Sequence, residues 1–192
     1  MKKILVYGSK GFGQVIKNLA EICGYEFIGF IDDYEPSGLD VVGDFNFIKH
    51  NYSPSEYEIA IAIGYNFLPE RAKVYESVID HQFNTPNLIH PTSYVDPTAA
   101  VGPGTLIMSG SVVDMNASIG PLGVLWPGSV INHDAAIGKN VFVSPNATVC
   151  GFVQVGDDVL IGASAVLVDQ VVVPNGSFIR AGDIFIKGRK GS

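Results

Sequence analysis

Apolar positions in the second half of the chain keep a strict period of six. Val95, Val101, Ile107, Val113, Ile119, Leu125, Ile131, Ile137, Val143, Val149, Val155, Ile161, Leu167, Val173 and Ile179 follow one another with no insertion. The position four further on is mostly small, as at Ala99, Thr105, Ser111, Ala117, Gly123, Ser129, Ala135, Ala147, Ala165 and Ser177. An amphipathic helix would space its apolar residues by three and four, and a half-buried strand would alternate. A period of six is the mark of a parallel β-helix built from hexapeptide repeats. Val101-Gly102, Ile119-Gly120, Ile137-Gly138, Val155-Gly156 and Val173-Pro174 recur every eighteen residues, so three hexads make one triangular coil. One corner of each coil then carries Gly or Pro, and glycine is expected there because it lacks Cβ and tolerates positive φ. One coil cannot bury its inner face alone, so several must stack.

The first half has a different pattern. Ile4-Leu5-Val6-Tyr7 reads as a buried strand, and Gly8-Ser9-Lys10-Gly11-Phe12-Gly13 follows it. Gln14 to Ile22 has helical spacing at Val15, Ile16, Leu19 and Ala20, with Gly24 at the expected C-cap. Phe27 to Ile31 is a second strand closed by Asp32-Asp33. Strand, glycine turn, helix and strand make a βαβ unit. Pro36 to Phe47 reads as a loop with a short edge segment at Val41-Val42. Glu58 to Ile63 is a third strand ending in Gly64-Tyr65-Asn66, and Pro69 to Asp80 is a helix. The expected organisation is an α/β half-Rossmann domain over residues 1–85 followed by a parallel β-helix over 86–192. The glycine turn spells G-x-x-G-x-G rather than the dinucleotide G-x-G-x-x-G. It leaves two readings open, a tight structural turn or a phosphate cradle at a helix N-terminus. Asp32 stands where an acidic residue could meet a ribose hydroxyl.

Length and charge narrow the function. The 192 residues are 47% hydrophobic and include 22 glycines, enough for two cores and many corners. The formal charge is −7, and Lys and Arg cluster only near the end, at Lys187, Arg189 and Lys190. Nucleic acid, which needs a basic face, is therefore not an expected partner. The apolar run after Met1-Lys2-Lys3 is too short for a signal peptide, and no stretch is long enough to span a membrane. Cys23 and Cys150 are far apart and read as small buried hydrophobes in a reducing cytoplasm. His50, His81, His90 and His133 are scattered, with no metal-ligand spacing.

One hexad carries chemistry. In Ile131-Asn132-His133-Asp134 a histidine stands among small and aliphatic residues. An imidazole titrates near neutrality, where a general base works best. The alternative is a surface histidine with no role. Asp134 could orient the ring, but adjacent residues of a strand face opposite ways. The pair can work together only at a corner or through a water.

The ordered set of these motifs resembles a known family over nearly the whole chain. It comprises Tyr7 to Gly13, Phe30-Ile31-Asp32-Asp33, Ala62 to Asn66, Asn87-Leu88-Ile89-His90-Pro91, Val130 to Asp134 with Ala136-Ile137-Gly138, and Ile161 to Ala165. These residues are similar to those of the bacterial left-handed β-helix sugar acyltransferases of the NeuD/PglD-like type. The resemblance implies a left-handed coil, a homotrimer, and acetyl-CoA as co-substrate between neighbouring β-helices. It implies that the N-terminal domain holds a nucleotide-sugar through Gly8, Lys10, Gly11, Phe12, Asp32, Asp33, Gly64 and Asn66. It makes His133 the general base with Asp134 in support, and it sets Phe142, Gly151, Ala163 and Ala181 at the coenzyme groove. The chain departs from the family at Phe12, where a histidine is usual, and at Trp126-Pro127 in place of an Asn-Thr pair. It also departs at Phe142 in place of a second histidine, and in lacking a closing Gly-x-Pro-Ala.

The expected activity is acetyl transfer from acetyl-CoA to the amine of a UDP- or dTDP-linked 4-amino-4,6-dideoxy sugar, with no metal. Two rivals remain: an O-acetyltransferase of the same fold, and a non-catalytic nucleotide-sugar-binding protein, favoured by Phe12, Trp126 and Phe142. An NAD-dependent oxidoreductase is disfavoured by the glycine spacing and the small first domain.

Overall fold

The computed structural model describes residues 2–186, so the basic end at Lys187, Arg189 and Lys190 lies outside the described residues. The chain divides into two compact units, Met1–Leu88 and Ile89–Ser192. Among the described residues no helix is long and apolar enough to cross a membrane.

Among its described residues the first unit is a four-stranded parallel sheet with three α-helices and a 3-10 turn at Tyr65–Phe67. Its elements run β1 (Lys3–Tyr7), α1 (Gly11–Ile22), β2 (Glu26–Ile31), β3 (Val41–Gly43), α2 (Phe45–Asn51), β4 (Tyr57–Ile61) and α3 (Leu68–Asp80). The strand order is β3-β2-β1-β4, which puts β1 between two partners. Ile4, Leu5 and Val6 are accordingly fully buried, as a continuous apolar run demands of a central parallel strand. α1 starts three residues before the helical spacing predicts, and it buries Gly13, Ile16, Leu19 and Ala20, while Val15 points to solvent. α2 falls partly inside the segment read as a loop. Asp44 caps it, its carboxylate accepting from the Phe47 N–H at 2.6 Å, and Phe45 and Ile48 anchor it. An Asx cap with apolar residues three apart is a helix signal, and seven residues give too few turns for the periodicity to stand out.

The second unit is a left-handed parallel β-helix. Among its described residues two-residue strands stack into three parallel sheets of five, six and six strands. Each strand pairs with the one eighteen residues away, as Ile119 with Ile137 and Ile137 with Val155. The inward ladder holds as the period of six predicts. From Ile107 to Ile179 each of its members is at most 5% exposed, and Val95 and Val101 in the opening coil are half-buried. Burying one such side chain contributes about 1.5–3 kcal/mol. The second inward position is small where Ala117, Ala135, Ala147 and Ala165 sit, but Val141, Val153, Val159 and Val171 fill it elsewhere and are just as buried.

Of the two reasons expected for the corner glycines, the missing Cβ holds and positive φ does not. Left-handed φ belongs to the residue two further on, such as Gly104, Leu122, Asn140, Asp158 and Gly176. Gly102, Gly120, Gly138 and Gly156 are required by close approach. A Cβ there would lie 2.6–2.7 Å from main-chain atoms of the next coil, well inside contact distance.

Candidate active site

The carboxyl ends of β1, β2 and β4 open onto a cavity of about 570 Å³ in the first unit. Ligands of open parallel sheets bind at this end of the strands. The wall takes Gly8, Lys10 and Phe12 from the loop after β1, Asp32 and Asp33 from the end of β2, and Gly64 and Asn66 from beyond β4. Gly11 is not on it. Tyr34, Tyr65 and Phe67 are on it, and sequence reasoning did not single them out. They supply faces on which a flat base can stack. The signal was present in the aromatic residues that flank Asn66 directly after the Gly64 break.

The glycine loop serves packing first. Gly8 has φ +111°, and a Cβ there would stand 2.7 Å from the Ala62 carbonyl oxygen. At Gly13 a Cβ would stand 2.0 Å from the Gly8 carbonyl oxygen, because α1 lies directly on the end of β1. Gly11 has open space. Two of the three glycines are therefore needed for the chain to meet itself, whatever ligand it holds.

The two carboxylates after β2 are also tied into the fold. Asp32 is 6% exposed. Its Oδ1 accepts from the Tyr34 and Glu35 N–H groups, each at 3.0 Å, and its Oδ2 accepts from the Ser9 hydroxyl. Burial pushes its carboxyl up, but the hydrogen bonds from Ser9, Glu35 and Tyr34 outweigh it and hold the group below the usual carboxylate range. Asp33 accepts from the Tyr7 hydroxyl and, at 2.9 Å, from the Phe45 N–H. Burial and the Asp33 carboxylate push the Tyr7 hydroxyl far up, so it stays a donor. Lys10, on the cavity wall, pairs with Glu35. A ligand thus meets a pre-tied acidic rim.

In the second unit His133 and Asp134 lie in the turn after the strand Val130–Ile131. Asp134 takes the left-handed position of that turn, φ +58°. A corner is the geometry in which neighbours can face each other. Nδ1 of His133 is 3.0 Å from Oδ2 of Asp134. A carboxylate only accepts, so Nδ1 donates and Nε2 is left as the basic nitrogen. Hydrogen bonds, first from His133 and then from Asn116, hold the Asp134 carboxyl below its usual range. The imidazole lies over Gly151, where a Cβ would be 2.9 Å from Cε1, and the Phe152 ring meets it edge-on at 5.3 Å between centroids. Gly151 is a seat for the His133 ring, a role the sequence did not reveal.

The other groove residues divide. Ala163 and Ala181 occupy one corner in successive coils, half-buried and exposed respectively. Their main-chain N–H groups, and that of Gly151, make no hydrogen bond within the described chain. Phe142 is 1% exposed, so its ring has no open face for a ligand. Trp126, Cys23 and Cys150 are half-buried. Burial, and then Asp169, pushes the Cys150 thiol up, which disfavours the thiolate.

A β-helix with a histidine at an exposed corner, preceded by an α/β unit with an open strand-end cavity, is the architecture of the hexapeptide-repeat acyltransferases. Residues 3–78 match the model of the PglD N-terminal domain. The acetyltransferase domain of PglB from Neisseria gonorrhoeae is similar over 100% of this chain and 94% of its own, at 28% identity and a TM-score of 0.90. PerB from Caulobacter crescentus, solved with CoA and GDP-perosamine, is 26% identical over 98% of this chain and 91% of its own, with a TM-score of 0.90. WeeI from Acinetobacter baumannii, 22% identical with a TM-score of 0.85, shares the fold over 98% of this chain and 93% of its own. These matches support the resemblance of the chain to the NeuD/PglD-like sugar acetyltransferases.

Proposed function

We propose that the protein transfers the acetyl group of acetyl-CoA to the amine of a nucleotide-linked 4-amino-4,6-dideoxy sugar. The observation that carries this reading is the corner imidazole whose Nδ1 is engaged by Asp134 and whose Nε2 is not engaged. The PglB domain has been solved with acetyl coenzyme A, and PerB with GDP-perosamine, so a nucleotide-linked amino sugar suits both halves of this chain. The first unit holds the nucleotide, with the aromatic wall under the base and the glycine loop beside the phosphates. Gly8, Lys10, Phe12, Gly64 and Asn66 line that cavity. Asp32 and Asp33 shape it. Gly11, off the wall, opens α1. The unpaired N–H groups of Gly151, Ala163 and Ala181 serve the coenzyme, and Phe142, whose ring is buried, does not touch it. The enzyme acts in the cytoplasm as a homotrimer.

The chemistry is direct. The amine nitrogen attacks the thioester carbonyl carbon, a C–N bond forms, and His133 Nε2 takes the amine proton. Main-chain N–H groups steady the oxyanion. Collapse breaks the C–S bond, and the imidazolium returns the proton to the departing thiolate. No acyl-enzyme forms, in keeping with a Cys150 thiol pushed up rather than down. With a panel of GDP-, UDP- and dTDP-linked amino sugars, thiol release should appear for an amine and not for the matching hydroxyl sugar. His133→Ala should lower kcat by about 10²–10⁴-fold while substrate affinities hold. A variant that turns over at nearly the normal rate would sink the mechanism. Release with hydroxyl sugars alone would make the protein an O-acetyltransferase.

A further inference from the structure

The His133–Asp134 pair does not stand alone on its corner. Asp134 presents one oxygen, Oδ2, to the imidazole. Its other oxygen, Oδ1, accepts from Nδ2 of Asn116 at 3.2 Å. Asn116 lies eighteen residues earlier, one coil below, in the same left-handed position with φ +57°. It is itself held. Its main-chain N–H donates to Oγ1 of Thr98 at 2.9 Å, and that hydroxyl donates to Oδ1 of Asp96 at 2.6 Å. Thr98, Asn116 and Asp134 therefore form one polar column up three coils, at a position where other coils carry Phe152 and Gln170.

We infer that Asn116 is a positioning residue for the acyl-transfer base: its amide holds the Asp134 carboxylate in the plane that keeps His133 in the Nδ1–H form. The inference rests on the reading of His133 as the base. Asp134 is a short side chain on a turn that is open to solvent, and a single hydrogen bond from the imidazole leaves it free to rotate about χ2. A second donor on the opposite oxygen removes that freedom. The amide must point its nitrogen at the carboxylate, since two facing oxygens repel, so the arrangement has a direction. Asn is also one of the few residues that tolerate left-handed φ without strain, so the corner's conformation and its donor come from the same residue. The imidazole is boxed from the other side by Gly151 and Phe152. The base is thus set by contacts from the coil below and the coil above.

The test separates this role from a merely conformational one. Asn116→Gly and Asn116→Asp both accept left-handed φ, and both remove the donor. Each should lower kcat by about tenfold, the worth of one hydrogen bond to a charged group, with KM and melting temperature unchanged. In the Asp134→Ala background Asn116→Gly should cost nothing further, because the two residues act as one unit. Nitrogen-15 NMR of the unliganded protein should show His133 as the Nδ1–H tautomer, with a shift toward Nε2–H in Asn116→Gly. Normal kcat in both variants, additive losses, or an unchanged tautomer would overturn the role of Asn116. The NMR measurement also decides the matter if His133→Ala proves active, since that result removes the base assignment and leaves the tautomer to be read by itself.

Discussion

The two units place carboxylates to opposite ends. In the α/β unit Asp32 is buried and both its oxygens are taken by the chain around it. In the β-helix Asp134 stands on an open corner, and its oxygens are taken by an imidazole and by an amide of the coil below. Each charge is held below its usual range by hydrogen bonds. The first steadies a loop, and the second orients an imidazole. The difference follows from how each unit is built. The β-helix repeats its core every six residues, so a corner can change without cost to the ladder inside. The α/β unit repeats nothing. Each glycine and acid at its strand ends has one neighbour to satisfy, and the ligand site is made from what remains.

The contrast can be broken most severely at the ladder. Ile137 is 4% exposed and stacks between Ile119 and Val155. Ile137→Asp buries an unpaired carboxylate, a cost of several kcal/mol, and should abolish the cooperative unfolding of the β-helix, as followed by the fluorescence of the single tryptophan, Trp126. A variant with wild-type fluorescence and melting temperature would show that the inward register is misassigned.

Gly13→Ala acts on the other unit. The added methyl would lie 2.0 Å from the Gly8 carbonyl oxygen, and α1 must move off β1. The expected loss is about 1–3 kcal/mol of local stability, with weaker nucleotide-sugar binding and unchanged acetyl-CoA binding by calorimetry. Equal loss for both ligands would mean that the two units are not independent in this respect.

Gly151→Ala sharpens the comparison, because here a β-helix glycine does the work of an α/β one. The obstructed atom belongs to a side chain, the His133 ring, which can shift. Stability should hold within about 0.5 kcal/mol, and kcat should fall by about 10–10²-fold through misplacement of the base. Unchanged kcat would show that the ring does not need its seat.

The smallest effect is at Asp32. Its folded-state carboxyl lies below the ordinary value of about 4. It therefore contributes stability above that value, and the contribution is lost as pH falls through the folded-state titration. Hydrogen-exchange protection of residues 32–35, taken relative to the intrinsic exchange rate at each pH, should fall on acidification in the wild type. In Asp32→Asn the protection should be lower at neutral pH by an amount equivalent to about 1–2 kcal/mol, and nearly indifferent to acid. An equally acid-sensitive variant would assign the transition to another group.

The sequence by itself determined the β-helix almost completely. A contact between coils is a contact between residues eighteen apart, so a local period spells out the long-range neighbours. The ladder from Ile107 to Ile179 and the pairing of Ile119 with Ile137 could be read directly. The βαβ core and the corner position of His133 were legible for similar reasons, an apolar run and an imidazole where the repeat has no use for one. Only the tertiary structure decided the rest. It set the strand order β3-β2-β1-β4, began α2 inside the end of a supposed loop, and gave the corner glycines close approach between coils as their reason, without positive φ. It also took the oxygens of Asp32 for the loop and seated His133 between Gly151 and the Asn116–Asp134 pair. These outcomes depend on which atoms meet once the coils and helices have packed. A linear pattern records the spacing of residues, and it does not record the distance at which a Cβ would meet a neighbour's carbonyl oxygen.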